Sequence, residues 1–224
     1  MTTVRETTLT CPVCGTIFCG PVVMSYSSAG QDTDFRPHFL GLDALPLMVH
    51  ACPRCCFAGY ESDFEKVEPA VKRFVLTEEL RADEIIGGEE REHLRGSSKY
   101  MLAARCRAAD PAAREIEVAD LYLRAAWCAR SENLRDREQQ CQSEAVLRFE
   151  QALDTGSVEA NERPTILYLV GELYRRLGMF DVACDYFDEA LHSAEEAGDP
   201  HLVALIQQQE QAARAGQSEN MVIK

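Results

Sequence analysis

The sequence predicts an α+β chain that is mainly α, with a small β module at the N-terminus and an array of helices after it. Three observations predict this. Two Cys-Pro-x-Cys pairs, Cys11-Pro12-Val13-Cys14 and Cys52-Pro53-Arg54-Cys55, lie in the first quarter of the chain. Turn formers and short β-type runs fill residues 1–60, and helical periodicity replaces them afterwards. From about residue 115 that helical pattern repeats itself.

Within residues 1–60 the cysteine pairs carry the chemistry. Two residues between thiolates allow a tight turn to aim both sulfurs at one cation. A second pair completes a tetrahedral four-thiolate site, with zinc–sulfur bonds of about 2.3 Å. Proline presets φ in each turn, and Gly15 supplies the permissive position that lets backbone amides point at the sulfurs. Cys11, Cys14, Cys52 and Cys55 are therefore the candidate metal ligands, with zinc the expected ion. Iron in a rubredoxin-like site uses the same four ligands, and sequence does not separate the two. Cys19, Cys56, His38 and His50 are substitute donors of lower weight. Between the pairs, Gly20–Tyr26, Phe35–Leu40 and Leu45–His50 read as short strands separated by polar turns. Knuckle, strands and second knuckle make a zinc-ribbon-like layout. About 60 residues bury little core, so a structural metal would supply the missing stability.

Composition narrows the function classes. The chain has 224 residues, 46% of them hydrophobic and 27% charged, ordinary values for a globular protein. The opening Met1–Glu6 lacks the apolar stretch of a signal peptide, and no apolar run approaches the roughly 20 residues of a membrane helix. Ten cysteines without secretory context suit a reducing cytoplasm, where paired Cys-x-x-Cys reads as metal or redox chemistry. The formal charge of −14 falls almost wholly in residues 61–224. An acidic surface repels phosphate backbones and anionic lipid, so neither nucleic acid nor membrane is the expected partner. A basic protein or peptide is.

After residue 60, Ser62-Asp63-Phe64-Glu65 fits a capping box that would open a helix. Gly87-Gly88 and Gly96 interrupt the next stretch, so residues 61–114 read as short helices and connector. Residues 115–215 then contain two similar units. Glu144–Leu153 aligns with Val182–Leu191 at an offset of 38 residues, and Tyr122–Trp127 with Tyr168–Leu173 at an offset of 46. The difference places eight extra residues in the turn of the first unit, within Ser131–Gln142. The second unit resembles a tetratricopeptide repeat: Leu167, Gly171, Tyr174, Gly178, Phe180, Ala183, Phe187 and Ala190 stand at that family's signature positions. Gly171 and Ala183 are small where two helices would cross closely, and Gly178 would end the first helix in a left-handed turn. The first unit has Ala125 at the close-packing position and is repeat-like only. His201–Ala215 reads as a helix capping the stack, and residues 216–224 as a tail.

This combination resembles a bacterial family classified only as a domain of unknown function, which pairs an N-terminal cysteine-knuckle segment with tetratricopeptide-like helices. The match rests on both Cys-Pro-x-Cys pairs, Phe57-Ala58, Asp63-Phe64 and the repeat at 164–195. It departs at Cys56, where the family pattern would have Gly. The resemblance implies the architecture and nothing about activity.

The function expected from these readings is a metal-binding scaffold or adaptor that presents a helical-repeat groove to a protein or peptide partner. Two recognisable helix pairs make a short array, so either residues 97–110 supply a further helix or the chain self-associates as a homo-oligomer. The alternative is a metal-dependent or dithiol enzyme acting at the cleft between metal module and helices. Asp32, Asp34, Glu61 and Asp63 would be its candidate bases, and Cys52–Cys56 its candidate dithiol. Metal-centred catalysis needs an open coordination position, which four thiolates deny, so no residue is assigned a catalytic role.

Overall fold

The computed structural model describes residues 2–223, and helices dominate it, with small antiparallel strand pairs confined to the N-terminal part. Strand β1 (Thr3–Thr10) pairs with β2 (Ile17–Ser25), and the first cysteine pair forms their turn, with Thr10 opposite Ile17. Strand β1 carries no clear signal in the sequence, for a physical reason. Its Thr, Arg and Glu side chains are largely solvated on both faces, and only Leu9 is buried, so no alternation marks it. Strands β3 (Ser28–Gln31) and β4 (Pro37–Phe39) form a second hairpin. Strands β5 (Val49–Ala51) and β6 (Ala58–Tyr60) form a third, with Ala51 opposite Ala58 and the second cysteine pair as its turn.

No α-helix begins at Ser62. Residues Glu61–Phe64 make a single 3₁₀ turn in which the Asp63 carboxylate accepts the Tyr60 amide at 2.8 Å. Phe64 is buried with its ring edge-on to Phe18 and Phe57. The capping geometry predicted for Ser62 and Glu65 is thus shifted to Tyr60 and Asp63, because burying Phe64 fixes the chain direction before a helix can start.

Eight helices come after it: α1 (Pro69–Leu76), α2 (Ala82–Ile86), α3 (Gly96–Ala108), α4 (Glu115–Ser131), α5 (Arg135–Asp154), α6 (Arg163–Arg176), α7 (Phe180–Ala197) and α8 (Pro200–Arg214). Helix α3 packs on α4, α4 on α5, α6 on α7, and α7 on α8. The α4–α5 turn has the same form as the α6–α7 turn. Asn133 (φ +59°) and Gly178 (φ +79°) occupy the left-handed position, and the next amide reaches back to Ala129 and to Tyr174 respectively, each at 2.9 Å. The eight extra residues of the first unit therefore lie in its longer helices, mostly in the first turns of α5, and the turn itself is short.

One apolar core runs from Leu9, Val13 and Val49 through Tyr100 and Leu102 of α3 to Phe187 and Ile206. The strand pairs thus share their interior with the helices. The Tyr100 hydroxyl donates to the Leu45 carbonyl at 3.0 Å, and the Lys99 ammonium donates to the carbonyl of Pro46. Residues beyond α8 pack back onto the N-terminal part: the Ile223 amide donates to the Gln31 carbonyl and the Thr33 amide to the Met221 carbonyl.

Candidate metal centre

The two knuckles are built alike. In the first, the Cys11 amide donates to the Thr16 carbonyl and the Gly15 amide to the Cys11 carbonyl, both at 2.9 Å. In the second, the Cys52 amide donates to the Phe57 carbonyl at 2.8 Å and the Cys56 amide to the Cys52 carbonyl at 2.9 Å. Gly15 (φ +75°) and Cys56 (φ +60°) hold the same left-handed position. Cys56 accepts a conformation that favours glycine, while its thiol is fully buried beneath the knuckle.

Two hairpin turns facing each other bring the four predicted sulfurs together. Cys11 Sγ lies 3.5 Å from Cys55 Sγ, Cys14 Sγ lies 3.5 Å from Cys52 Sγ, and all four fall within 4.8 Å of one another. Ligands about 2.3 Å from a central ion at tetrahedral angles stand about 3.8 Å apart, so the cluster has the dimensions of a four-thiolate site. Cys11 and Cys52 are buried, whereas Cys14 and Cys55 reach the surface in part. Thr16 Oγ1, 3.2 Å from Cys14 Sγ, can orient and stabilise that sulfur.

The electrostatics favour a cation. Hydrogen bonding to Cys52 pushes the Cys11 thiol up to about 12, and hydrogen bonds to Cys11 and then Cys52 push Cys55 up. The same contacts, Cys11 first and Cys55 second, pull Cys52 far down. Four sulfurs this close resist carrying four negative charges unless a positive ion sits among them.

None of the substitute donors joins the cluster, which among the described residues contains only Cys11, Cys14, Cys52 and Cys55. Cys19 is exposed on β2, its sulfur 4.0 Å from Thr8 Oγ1. His38 Nε2 meets Asp32 at 2.7 Å. His50 is buried beside Phe64, and its pKa drops to about 4 through burial and then the Lys99 charge. The candidate bases are also engaged elsewhere: Asp63 caps Tyr60, and Glu61 pairs with Arg5 at 3.7 Å.

Asp32 and Asp34 belong to a buried ionic network that the sequence did not reveal. Arg130 bonds Asp32 at 2.9 Å, Asp34 at 2.5 Å and Glu138 at 2.7 Å. The fully buried Glu172 accepts from Arg175 and Arg176, each at 2.8 Å, and from Thr33 at 2.5 Å. Arg175 also donates to the Gln217 and Glu219 carbonyls. Burial pushes Asp34 up, but Arg176 and Arg130 outweigh it and hold the carboxyl below its usual range. The sole advance signal was an Asp-Thr-Asp run and an Arg-Arg pair at a helix end, neither distinctive.

Fold and site together define a mainly helical protein with a four-cysteine centre able to hold a metal ion, set in the turns of two β-hairpins. The chain belongs to the family described as "Uncharacterized protein conserved in bacteria (DUF2225)", which it matches over residues 4–213. Comparison with curated proteins gives no match, nor does comparison with solved structures. No helix among the described residues is long and apolar enough to cross a membrane.

Proposed function

We propose that Cys11, Cys14, Cys52 and Cys55 hold a zinc ion in a closed shell, and that the protein is a non-catalytic scaffold or adaptor. Its tetratricopeptide-like helix pairs present a surface to a basic protein or peptide. The observation that carries the metal assignment is the convergence of four sulfurs from two matching turns. A four-thiolate shell leaves no position for a substrate or water, which supports a structural role for the ion. The acidity of residues 61–224 supports the choice of partner. In this reading residues 1–60 are the metal module, 61–114 the connector and 115–215 the recognition array, at work in a reducing cytoplasm.

Metal analysis and thiol titration of protein purified without chelator test the assignment. One zinc per chain is expected, with the four ligand thiols reacting only after a chelator is added. Iron in place of zinc would overturn the ion's identity, and the absence of both would overturn the metal site. For the partner, capture from lysate should weaken as salt rises, since surface charges act over about 8 Å at physiological ionic strength. Salt-independent capture, or capture of nucleic acid, would reject the basic-partner reading.

A further inference from the structure

A groove of about 660 Å³ lies where the metal module meets the helices. One wall is Phe57–Tyr60, the strand leaving the second cysteine pair, and the connector continues it through Val71. The floor is apolar: Leu121 of α4, Phe149 of α5, and Ile166 and Leu169 of α6. Six carboxylates line the groove against three cations, Lys66, Arg107 and Arg114. Each of those cations is already paired, Lys66 with Glu68 at 3.5 Å, Arg107 with Glu117 at 2.6 Å, and Arg114 with Glu117 at 3.5 Å. Asp63 on the module side and Glu162 at the entry to α6 have no cationic partner among the described residues.

We propose that this groove is the recognition site, and that it takes a basic peptide segment whose cationic side chains flank bulky apolar ones. The inference rests on the scaffold reading above and adds to it the place, the chemistry and a dependence on metal. An apolar floor gains from burying aliphatic or aromatic side chains, while Asp63 and Glu162, which accept backbone amides but face no cation among the described residues, call for positive charge on the ligand. A second copy of this chain is a poor occupant because its net charge of −14 opposes an acidic groove. Because Cys52 and Cys55 hold the turn from which Phe57–Tyr60 emerges, losing the ion should dismantle one wall and leave the floor in place.

The test uses full-length, metal-loaded protein and two short fluorescent peptides, one alternating Lys with Leu and one alternating Glu with Leu. The Lys–Leu peptide is expected to bind, to weaken about tenfold on raising salt from low to physiological strength, and to photo-crosslink to residues 57–71 and 162–169. The surface double variant Glu68→Lys/Glu162→Lys should weaken it at least tenfold, whereas Asp185→Lys/Asp188→Lys on α7 should change it less than twofold. Chelation should abolish binding while far-ultraviolet circular dichroism still reports helix. Equal binding of the Glu–Leu peptide, indifference to the groove variant, or unchanged binding after chelation would overturn the proposal. Crosslinks to α7–α8 would reject this groove yet leave the scaffold reading standing, and a metal-free purified protein would reject the metal site on which both depend.

Discussion

Replacing Gly171 by alanine tests whether α6 and α7 meet through a contact only glycine allows. A Cβ there would stand 2.8 Å from two ring carbons of Phe187 and 3.3 Å from the Ala183 carbonyl oxygen. Ordinary carbon–carbon contact begins near about 3.5 Å, so the ring must retreat by about 0.7 Å. Phe187 is fully buried and leans on Tyr168 with ring centroids 6.0 Å apart. Tyr168 is pinned in turn, its hydroxyl donating to the Thr33 carbonyl at 2.6 Å. Overpacking of this kind costs about 1–3 kcal/mol, against roughly 1 kcal/mol returned by alanine's better helix propensity. A net loss of up to about 2 kcal/mol is expected. For a chain of this length that lowers Tm by up to about 8 °C. Phe187→Leu shortens the obstructing ring and by itself leaves a cavity. Combined with Gly171→Ala it should cost less than the two single losses together, by about 1 kcal/mol or more. Denaturant unfolding of the four proteins of this cycle gives the answer. A Gly171→Ala protein more stable than the parent, or strictly additive effects, would refute the close crossing.

Three further outcomes are expected from the buried charges and the cysteines. Asp34 has a depressed pKa in the folded chain, so its contribution is present above the unfolded carboxyl value of about 3.9 and is lost as pH falls below it. Acid titration of the parent against Asp34→Asn should show the difference in stability shrinking below about pH 4. Glu172→Gln removes the buried charge facing Arg175 and Arg176 and should cost about 3–5 kcal/mol by denaturant unfolding, a near-neutral result excluding the network as drawn. Cys14→Ser should abolish stoichiometric metal and speed hydrogen exchange in β1, β2, β5 and β6, and unchanged metal content would remove Cys14 from the ligand set.

Legibility in the sequence tracked how local the determining physics is. The four-cysteine cluster was readable because two residues between thiolates is a local constraint, and each turn delivers its pair without help from the rest of the chain. Helices α4 to α8 were readable because their apolar periodicity spans several turns, and a helix over 97–110 was one of two alternatives for completing the array. The wrong placement at Ser62 had a different origin: a capping pattern was present, but tertiary burial of Phe64 overrode it. The eight extra residues were located rightly within Ser131–Gln142 but given the wrong conformation, because Arg135–Gln142 is polar enough to read as a loop, yet it forms the opening turns of α5. Nothing distinctive announced the network that joins Asp32 to Arg130 and Thr33 to Glu172, partners 98 and 139 residues apart in the chain. Such contacts are set by the fold, and no spacing records them.

The joint between strands and helices connects these observations. Cys11 and Cys52 face inward and Cys14 and Cys55 outward, so a bound ion would sit at the boundary between core and solvent. The inward half is continuous with α3. Gly96 lies so close to Pro46 that an added Cβ would stand 2.7 Å from its ring, and Tyr100 and Lys99 hold the chain just before β5. Two-stranded hairpins of three residues a side are not stable alone, so β5 and β6 need support, which α3 gives on their inner face and a bound ion would give at their turn. Each support positions the strand that walls the groove. The binding energy of an ion would therefore act beyond the cysteines: it would fix the direction in which Phe57–Tyr60 leaves the turn, and with it the width of the acidic groove. The second tie, from Thr33 to Glu172 of α6 and to the Met221 carbonyl after α8, anchors the N-terminal part to α6, which forms part of the groove floor. A protein held at both places would keep the proposed groove in one shape, which would lower the ordering cost of binding a flexible peptide.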